Sequence, residues 1–167
     1  LHSISLNDEL TGLYNRRGFL TLAEQQCRIS ERTLRHFILV FLDLDGLKQI
    51  NDTLGHAAGD RAIVEVAGAL RSTFRESDIV ARLGGDEFAA LMLDTHTSAT
   101  PALLERLDLA IQERNSAGLP FLLSLSCGIA GFDPDAPCSV DDLLRDADHA
   151  MYERKREKKI RISSAQP

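Results

Sequence analysis

The nearly continuous apolar stretch His36 to Leu42 is rich in aromatic and branched residues and predicts a central strand buried on both faces. Two more strands are predicted around Arg82-Leu83-Gly84-Gly85-Asp86-Glu87-Phe88. Ile79-Val80-Ala81 leads in, Phe88 to Leu93 leads out, and a two-residue Gly84-Gly85 loop joins them as a tight hairpin. That turn puts Asp86 and Glu87 at its tip, and the strand period points them to opposite faces. Phe121 to Ala130 predicts a further strand, and the alternation Lys159-Ile160-Arg161-Ile162-Ser163 a short edge strand.

Helical periodicity fills the intervals. A first helix is expected from Arg16 to Ser30, capped by Asn15, with Phe19, Leu20, Ala23 and Cys27 inward. A short helix from Leu47 to Asp52 breaks at Thr53–Asp60. A longer one follows, with Ile63, Val66, Ala67, Leu70 and Phe74 on one stripe and Asp60 as a candidate N-cap. Pro101 opens a helix that turns Leu103, Leu104, Leu107 and Ile111 inward. Ser139 and Asp142 have capping-box spacing ahead of Leu143, Leu144, Ala147, Ala150 and Met151. Leu1, Ile4 and Asp8 have the spacing of a heptad running out, which fits a fraying terminal helix or the tail of a signalling helix. Strands interleaved with helices around one hairpin give an α/β (α+β) domain with a mixed sheet.

Composition narrows the function. A chain of 167 residues, 44% hydrophobic and 26% charged, suits one globular domain with a real core. No apolar run approaches the ~20 residues of a membrane span, and no signal-peptide pattern opens the chain. Cys27, Cys127 and Cys138 lack metal-ligand spacing, so reduced thiols in a cytoplasmic setting are expected. A net charge of −6 argues against nucleic acid as a partner. A polyanionic substrate would therefore need bound metal and a few placed Lys or Arg residues.

The candidate chemistry lies where the central strand ends, at Asp43-Leu44-Asp45-Gly46. Carboxylates leaving a core strand are costly unless solvated, paired or holding a cation. Gly46 permits close backbone approach, the helix starting near Leu47 offers free N–H groups suited to phosphate, and Lys48 adds a point charge. Asn51 and Asp60 flank the helix break and could face one cleft. Plain alternatives exist for each: a helix-capping loop for Asp43–Asp45, an N-cap for Asp60, a local hydrogen bond for His56, and a surface ion pair for Arg75-Glu76-Ser77-Asp78.

Taken together and in order, these motifs resemble a GGDEF domain, the catalytic module of diguanylate cyclases. The resemblance rests on the stretch from Asp8-Glu9-Leu10-Thr11 to Asn15-Arg16-Arg17, on Asp43 to Asp60, on Arg82 to Phe88 and on Ala147 to Lys155, and it spans about Asp8 to Lys159. It implies a palm-like nucleotidyl cyclase fold with about five central strands. It also implies the condensation of two GTP into cyclic di-GMP in a head-to-tail homodimer. The domain itself would run over 8–163, between the end of an N-terminal signalling helix or linker (1–7) and a short tail (164–167), fused to sensor or other signalling domains in a cytoplasmic setting.

The family pattern further implies that Asp43, the Leu44 carbonyl and Asp86 hold Mg²⁺ or Mn²⁺, and that Glu87 activates the attacking hydroxyl or completes a second metal site. Gly84 and Gly85 would leave room for phosphates and ribose. Gly46, Leu47, Lys48, Lys155 and Lys159 would hold the triphosphate. Asp60 with Asn51 would select guanine, since a carboxylate only accepts hydrogen bonds and guanine donates two side by side from N1–H and N2–H₂. Arg75, Asp78 and Arg106 match an inhibitory site for cyclic di-GMP. The chain departs from the pattern in placing Lys159 where arginine is usual, which gives up a two-pronged phosphate contact, and Leu47 where phenylalanine is commoner. A GTP-binding regulatory domain and a cyclic di-GMP receptor are the competing readings, and the intact Asp43, Asp86 and Glu87 weigh against both.

Overall fold

The structure is a computed structural model that describes residues 3–165. Strand β1 (Phe37–Leu44) runs through the middle of a four-stranded sheet of order β2-β3-β1-β4, with β2 (Ile79–Gly84), β3 (Glu87–Leu93) and β4 (Leu125–Phe132). Every neighbouring pair is antiparallel. The helices are α1 (Arg16–Thr33), α2 (Leu47–Leu54), α3 (His56–Thr73), α4 (Thr100–Asn115) and α5 (Val140–Ser164).

The apolar run in β1 is continuous because the strand is covered on both faces. Ile38, Val40, Leu42 and Leu44 pack with Ile63, Val66 and Leu70 of α3 and Leu103, Leu107 and Ile111 of α4. The alternate residues Phe37, Leu39 and Phe41 pack with Phe19 and Ala23 of α1 and Leu143, Ala147 and Met151 of α5. Phe37 and Phe132 stack across the β1–β4 pair, with ring centroids 4.8 Å apart. The Asn15 side chain accepts from the Gly18 amide at 2.9 Å, and Ser139 with Asp142 forms a capping box that opens α5.

Several expectations are corrected. The sheet has four antiparallel strands, not about five in a mixed arrangement. Lys159 to Ser163 is the last part of α5, not an edge strand, because no Gly or Pro interrupts the chain between Val140 and Ser164 and helix extension there is unopposed. Ile160 and Ile162, whose alternation suggested a strand, are both exposed. The strand predicted over Phe121 to Ala130 runs from Leu125 to Phe132. Asn115 takes the backbone of Leu123 instead, donating to its carbonyl at 2.9 Å and accepting from its amide at 2.8 Å.

The break between α2 and α3 is the single residue Gly55, at φ +91°, so Asp60 lies inside α3 and is not its N-cap. The hairpin loop is Gly85-Asp86, one residue later than expected. Gly84 still pairs with Glu87, after a bulge between Arg82 and Gly84, and both glycines take positive φ (+143° and +48°). Residues 3–6 carry no helix; Leu1, the first position of the heptad reading, lies outside the described residues. No helix among the described residues is long and apolar enough to cross a membrane.

Two tight contacts fix the layers. Arg82 is ion-paired with Asp8 at 3.2 Å and donates twice to the Gly85 carbonyl, at 3.0 and 3.1 Å, which ties the hairpin loop to the Asp8–Thr11 turn. Burial pushes the Asp8 carboxyl up, but hydrogen bonds from Thr11 and the Arg82 guanidinium outweigh it and hold the group below its ordinary value. On the other face α5 lies directly on the backbone of β4, where a Cβ at Gly128 would come within 1.9 Å of the Ala147 carbonyl oxygen and 2.3 Å of the Met151 amide nitrogen. Gly128→Ala must push the helix off the sheet. We expect a loss of about 1–3 kcal/mol, read as a lower midpoint in chemical denaturation, with Asp148→Ala on the exposed side of α5 as the comparison.

Candidate active site

The end of β1 gathers acids from three segments. Asp43 stands opposite Glu87 of β3 on one side and Ser126 of β4 on the other. The Leu44 amide donates to the Asp86 carbonyl at 2.8 Å, which brings the hairpin loop against the strand end. The Asp86 carboxylate is a near enough neighbour to act on the Asp43 carboxyl, whose side chain is only 15% exposed. Burial raises the Asp43 carboxyl above its ordinary value and the Asp86 carboxylate adds to the rise; the Lys155 ammonium opposes both without cancelling them.

Lys155 reaches this cluster from α5. Its ammonium hydrogen-bonds Asp43 and lies 3.6 Å from Asp45 Oδ1. Burial alone would lower the Lys155 value, but the two carboxylates raise it above the ordinary one. Asp45 accepts hydrogen bonds from the hydroxyls of Ser124 at 2.9 Å and Ser126 at 2.8 Å. Glu87 is ion-paired with Arg16 at the start of α1, at 3.8 Å across a half-exposed surface. Sequence reasoning left Asp45, Ser124, Ser126 and Arg16 without roles. The Asp-x-Asp spacing was the one available signal for Asp45; the serines and Arg16 are brought in by strand register and tertiary packing.

Among the described residues, no three His, Cys, Asp or Glu side chains lie close enough to hold a metal by themselves. The donor set offered here is the Asp43–Asp86 pair, completed by backbone or ligand oxygen. Hard oxygens and two mutually repelling carboxylates are the chemistry that a divalent cation such as Mg²⁺ or Mn²⁺ neutralises, so these residues fit such an ion. Gly84 and Gly85 leave open space at the loop, with nothing within 4 Å of where a Cβ would stand, and the same holds at Gly46.

Other expected residues are placed as follows. Asn51 of α2 lies against Gly59 of α3, where a Cβ would come 1.8 Å from its side-chain oxygen, so the absence of a side chain at Gly59 is what admits Asn51. Lys48 and Asp60 are exposed, and Lys159 is exposed one helical turn beyond Lys155. A cavity of about 300 Å³ beside Asp45 and Gly46 is lined by Ile50, Leu54, Phe121 and Leu122, without Asn51 or Asp60. A larger one, about 450 Å³, lies away from the acids and is lined by Tyr14, Arg71, Arg75 and Asp78. There the Asp78 carboxylate accepts from the backbone amides of Arg75 at 2.9 Å and Leu93 at 3.2 Å. Arg106 is exposed on α4 and does not line that cavity.

Comparison with known proteins gives a consistent picture. The family described as "Diguanylate cyclase, GGDEF domain" matches residues 5–161. Diguanylate cyclase TpbB of Pseudomonas aeruginosa is 40% identical over 154 residues, which is 90% of this chain and 35% of that protein. Diguanylate cyclase DgcP of the same organism is 37% identical over 163 residues, 96% of this chain and 24% of that protein. The chain thus spans about a quarter to a third of the length of these curated relatives. Among solved structures, the GGDEF domain of DgcB from Caulobacter crescentus in complex with c-di-GMP superposes with a TM-score of 0.83 at 28% identity, covering 94% of each chain. The GGDEF domain of TpbB gives 0.81 at 40% identity, covering 90% of this chain and 89% of that one.

The carboxyl pair makes a titration prediction. The folded-state value of Asp43 lies above its ordinary 3.8, so the folded protein holds a proton that the unfolded chain has released, and this group's contribution to stability falls as pH rises from the ordinary value through the raised one. In metal-free protein followed by carboxyl NMR, Asp86→Asn should lower the Asp43 titration and Lys155→Met should raise it. An Asp43 titration that Asp86→Asn leaves unmoved would show that the two carboxyls do not interact.

Proposed function

The chain belongs to the GGDEF domain family of diguanylate cyclases, and from that premise we propose that it condenses two GTP molecules into cyclic di-GMP with release of two pyrophosphates. The observation that carries the reading is the backbone hydrogen bond from Leu44 to Asp86, which sets the hairpin acid beside Asp43 at the end of the central strand, with the Lys155 ammonium against Asp43. In each half-reaction a 3′-oxygen bonds to the α-phosphorus of the other nucleotide, the bond to the β-phosphate bridge breaks, and the hydroxyl proton leaves. Each subunit offers one such acid cluster and holds one GTP, so a head-to-tail homodimer brings together the two nucleotides that both bonds need.

The residues divide the work. Asp43, Asp86 and the Leu44 carbonyl would hold Mg²⁺ or Mn²⁺, which when bound supplies neutralisation of phosphate charge. Glu87 is the candidate for taking the hydroxyl proton or completing a second metal site. The backbone of Gly46 and Leu47 at the start of α2, with Lys48 and Lys155, binds the triphosphate; Lys159 contributes a single-point contact in place of a forked one. Asp60 and Asn51 read the guanine edge. Arg75 and Asp78, with the cavity beside them, take cyclic di-GMP as an inhibitor, and Arg106 is the site's second arginine. The extra length of the relatives supports fusion to a sensor or other signalling module in the cytoplasm.

Incubation of purified protein with GTP and Mg²⁺ should give cyclic di-GMP by chromatography, and Asp86→Asn should abolish it. Progress curves should flatten as product accumulates in the wild type and stay linear in Arg75→Ala. If GTP is untouched, or if Asp86→Asn turns over normally, the cyclase reading is wrong. For base choice, Asp60→Ser removes the carboxylate that accepts from guanine, and the preference for GTP over ATP in competition should fall on the order of tenfold or more; an unchanged ratio would remove Asp60 from the base site.

A further inference from the structure

We propose that Asp45 is a positioning residue for Lys155: it keeps the ammonium inside the site when a divalent cation takes Asp43, so that ammonium and cation are held together and do not exclude each other. The inference rests on the reading of Asp43 and Asp86 as the cation's ligands.

The geometry carries it in three steps. First, the Lys155 ammonium already occupies the Asp43 carboxylate, so a cation arriving there meets a positive charge and must displace it. Secondly, the ammonium has a second partner within reach, Asp45 Oδ1 at 3.6 Å, and a shift of that small size by one flexible side chain moves it from one carboxylate to the other. Thirdly, Asp45 is not free to follow the cation. Its two oxygens each accept a serine hydroxyl, from Ser126 at 2.8 Å and Ser124 at 2.9 Å, its amide donates to the Ser124 carbonyl at 2.8 Å, and Ser126 is buried. Ser124 also accepts from the Lys158 ammonium at 3.3 Å, which steadies the same corner from α5.

Charge balance points the same way. Asp43, Asp86 and Asp45 set three negative charges against one ammonium, and one divalent ion makes the cluster neutral. With Asp45 made neutral, the same ion would leave the cluster positive, and Lys155 would compete with it for Asp43 alone. Asp45 therefore acts through Lys155, whereas a third ligand would act on the cation directly.

These two routes are separable by measuring Mn²⁺ binding to nucleotide-free protein, with free Mn²⁺ read by electron paramagnetic resonance, in the wild type, Asp45→Asn, Lys155→Met and the double variant. We expect Asp45→Asn to weaken Mn²⁺ binding on the order of tenfold. Lys155→Met should tighten it, and in that background most of the Asp45→Asn effect should vanish. Equal losses with and without Lys155, or no loss in either, would overturn the inference. Ser126→Ala keeps the charge but loosens the carboxylate, and should give a smaller loss that also depends on Lys155; it answers the question if Asp45→Asn does not fold. Asp43→Asn and Asp86→Asn test the underlying reading separately. If they bind Mn²⁺ as the wild type does, or if the wild type binds none, the cation site itself is misplaced and this inference goes with it.

Discussion

The structure depends on how one guanidinium is shared. Arg82 sits on β2 with its side chain only 15% exposed, and it holds Asp8 with one arm and the Gly85 carbonyl with the others. An arginine so withdrawn from water is favourable only if its donors are met, and here a carboxylate and a carbonyl meet them. Hydrogen bonds to a charged group are each worth about 1.5–3 kcal/mol when the alternative is a buried donor left unmet. The loop that carries Asp86 is therefore held from behind, by a residue that touches nothing in the acid cluster. A Gly85-Asp86 turn without that brace would be the loosest part of the hairpin.

Much of this was legible in the chain before folding. The β1 run, the α3 stripe, the Asn15 cap and the Ser139–Asp142 capping box all reappear, because each is a local pattern with a single low-energy solution. The misses have different physical origins. Two isoleucines at alternate positions imitate a strand, yet a run of good helix formers behind them carries α5 straight through. The start of β4 is moved by Asn115, distant in sequence, which captures the Leu123 backbone. The turn slips by one residue because a bulge in β2 absorbs the difference.

The acid cluster divides along the same line. Asp43, Asp86 and Glu87 could be picked out because their motifs are contiguous. Asp45's serine partners could not, since Ser126 reaches it only through the β1–β4 register, and Arg16 meets Glu87 only because α1 packs beside β2 and the hairpin. In a chain of net charge −6, concentrating acids at one strand end is unfavourable electrostatically, and the compensating cations come from the two helices on one face of the sheet, α1 and α5. Residues recruited by architecture are invisible to motif reading, whatever their importance to the chemistry.

Gly128 has a mechanical consequence. Where α5 rests on bare strand backbone there is no side-chain cushion to compress, so the helix behaves as a beam bolted to the sheet. Lys155 lies one turn past that joint, at the end of a short lever, and can move only by reorienting its own methylenes. An incoming stimulus thus has little purchase through α5. The other attachment of the acid cluster to the rest of the chain is the Asp8–Arg82 tie, which ends on the Gly85 carbonyl.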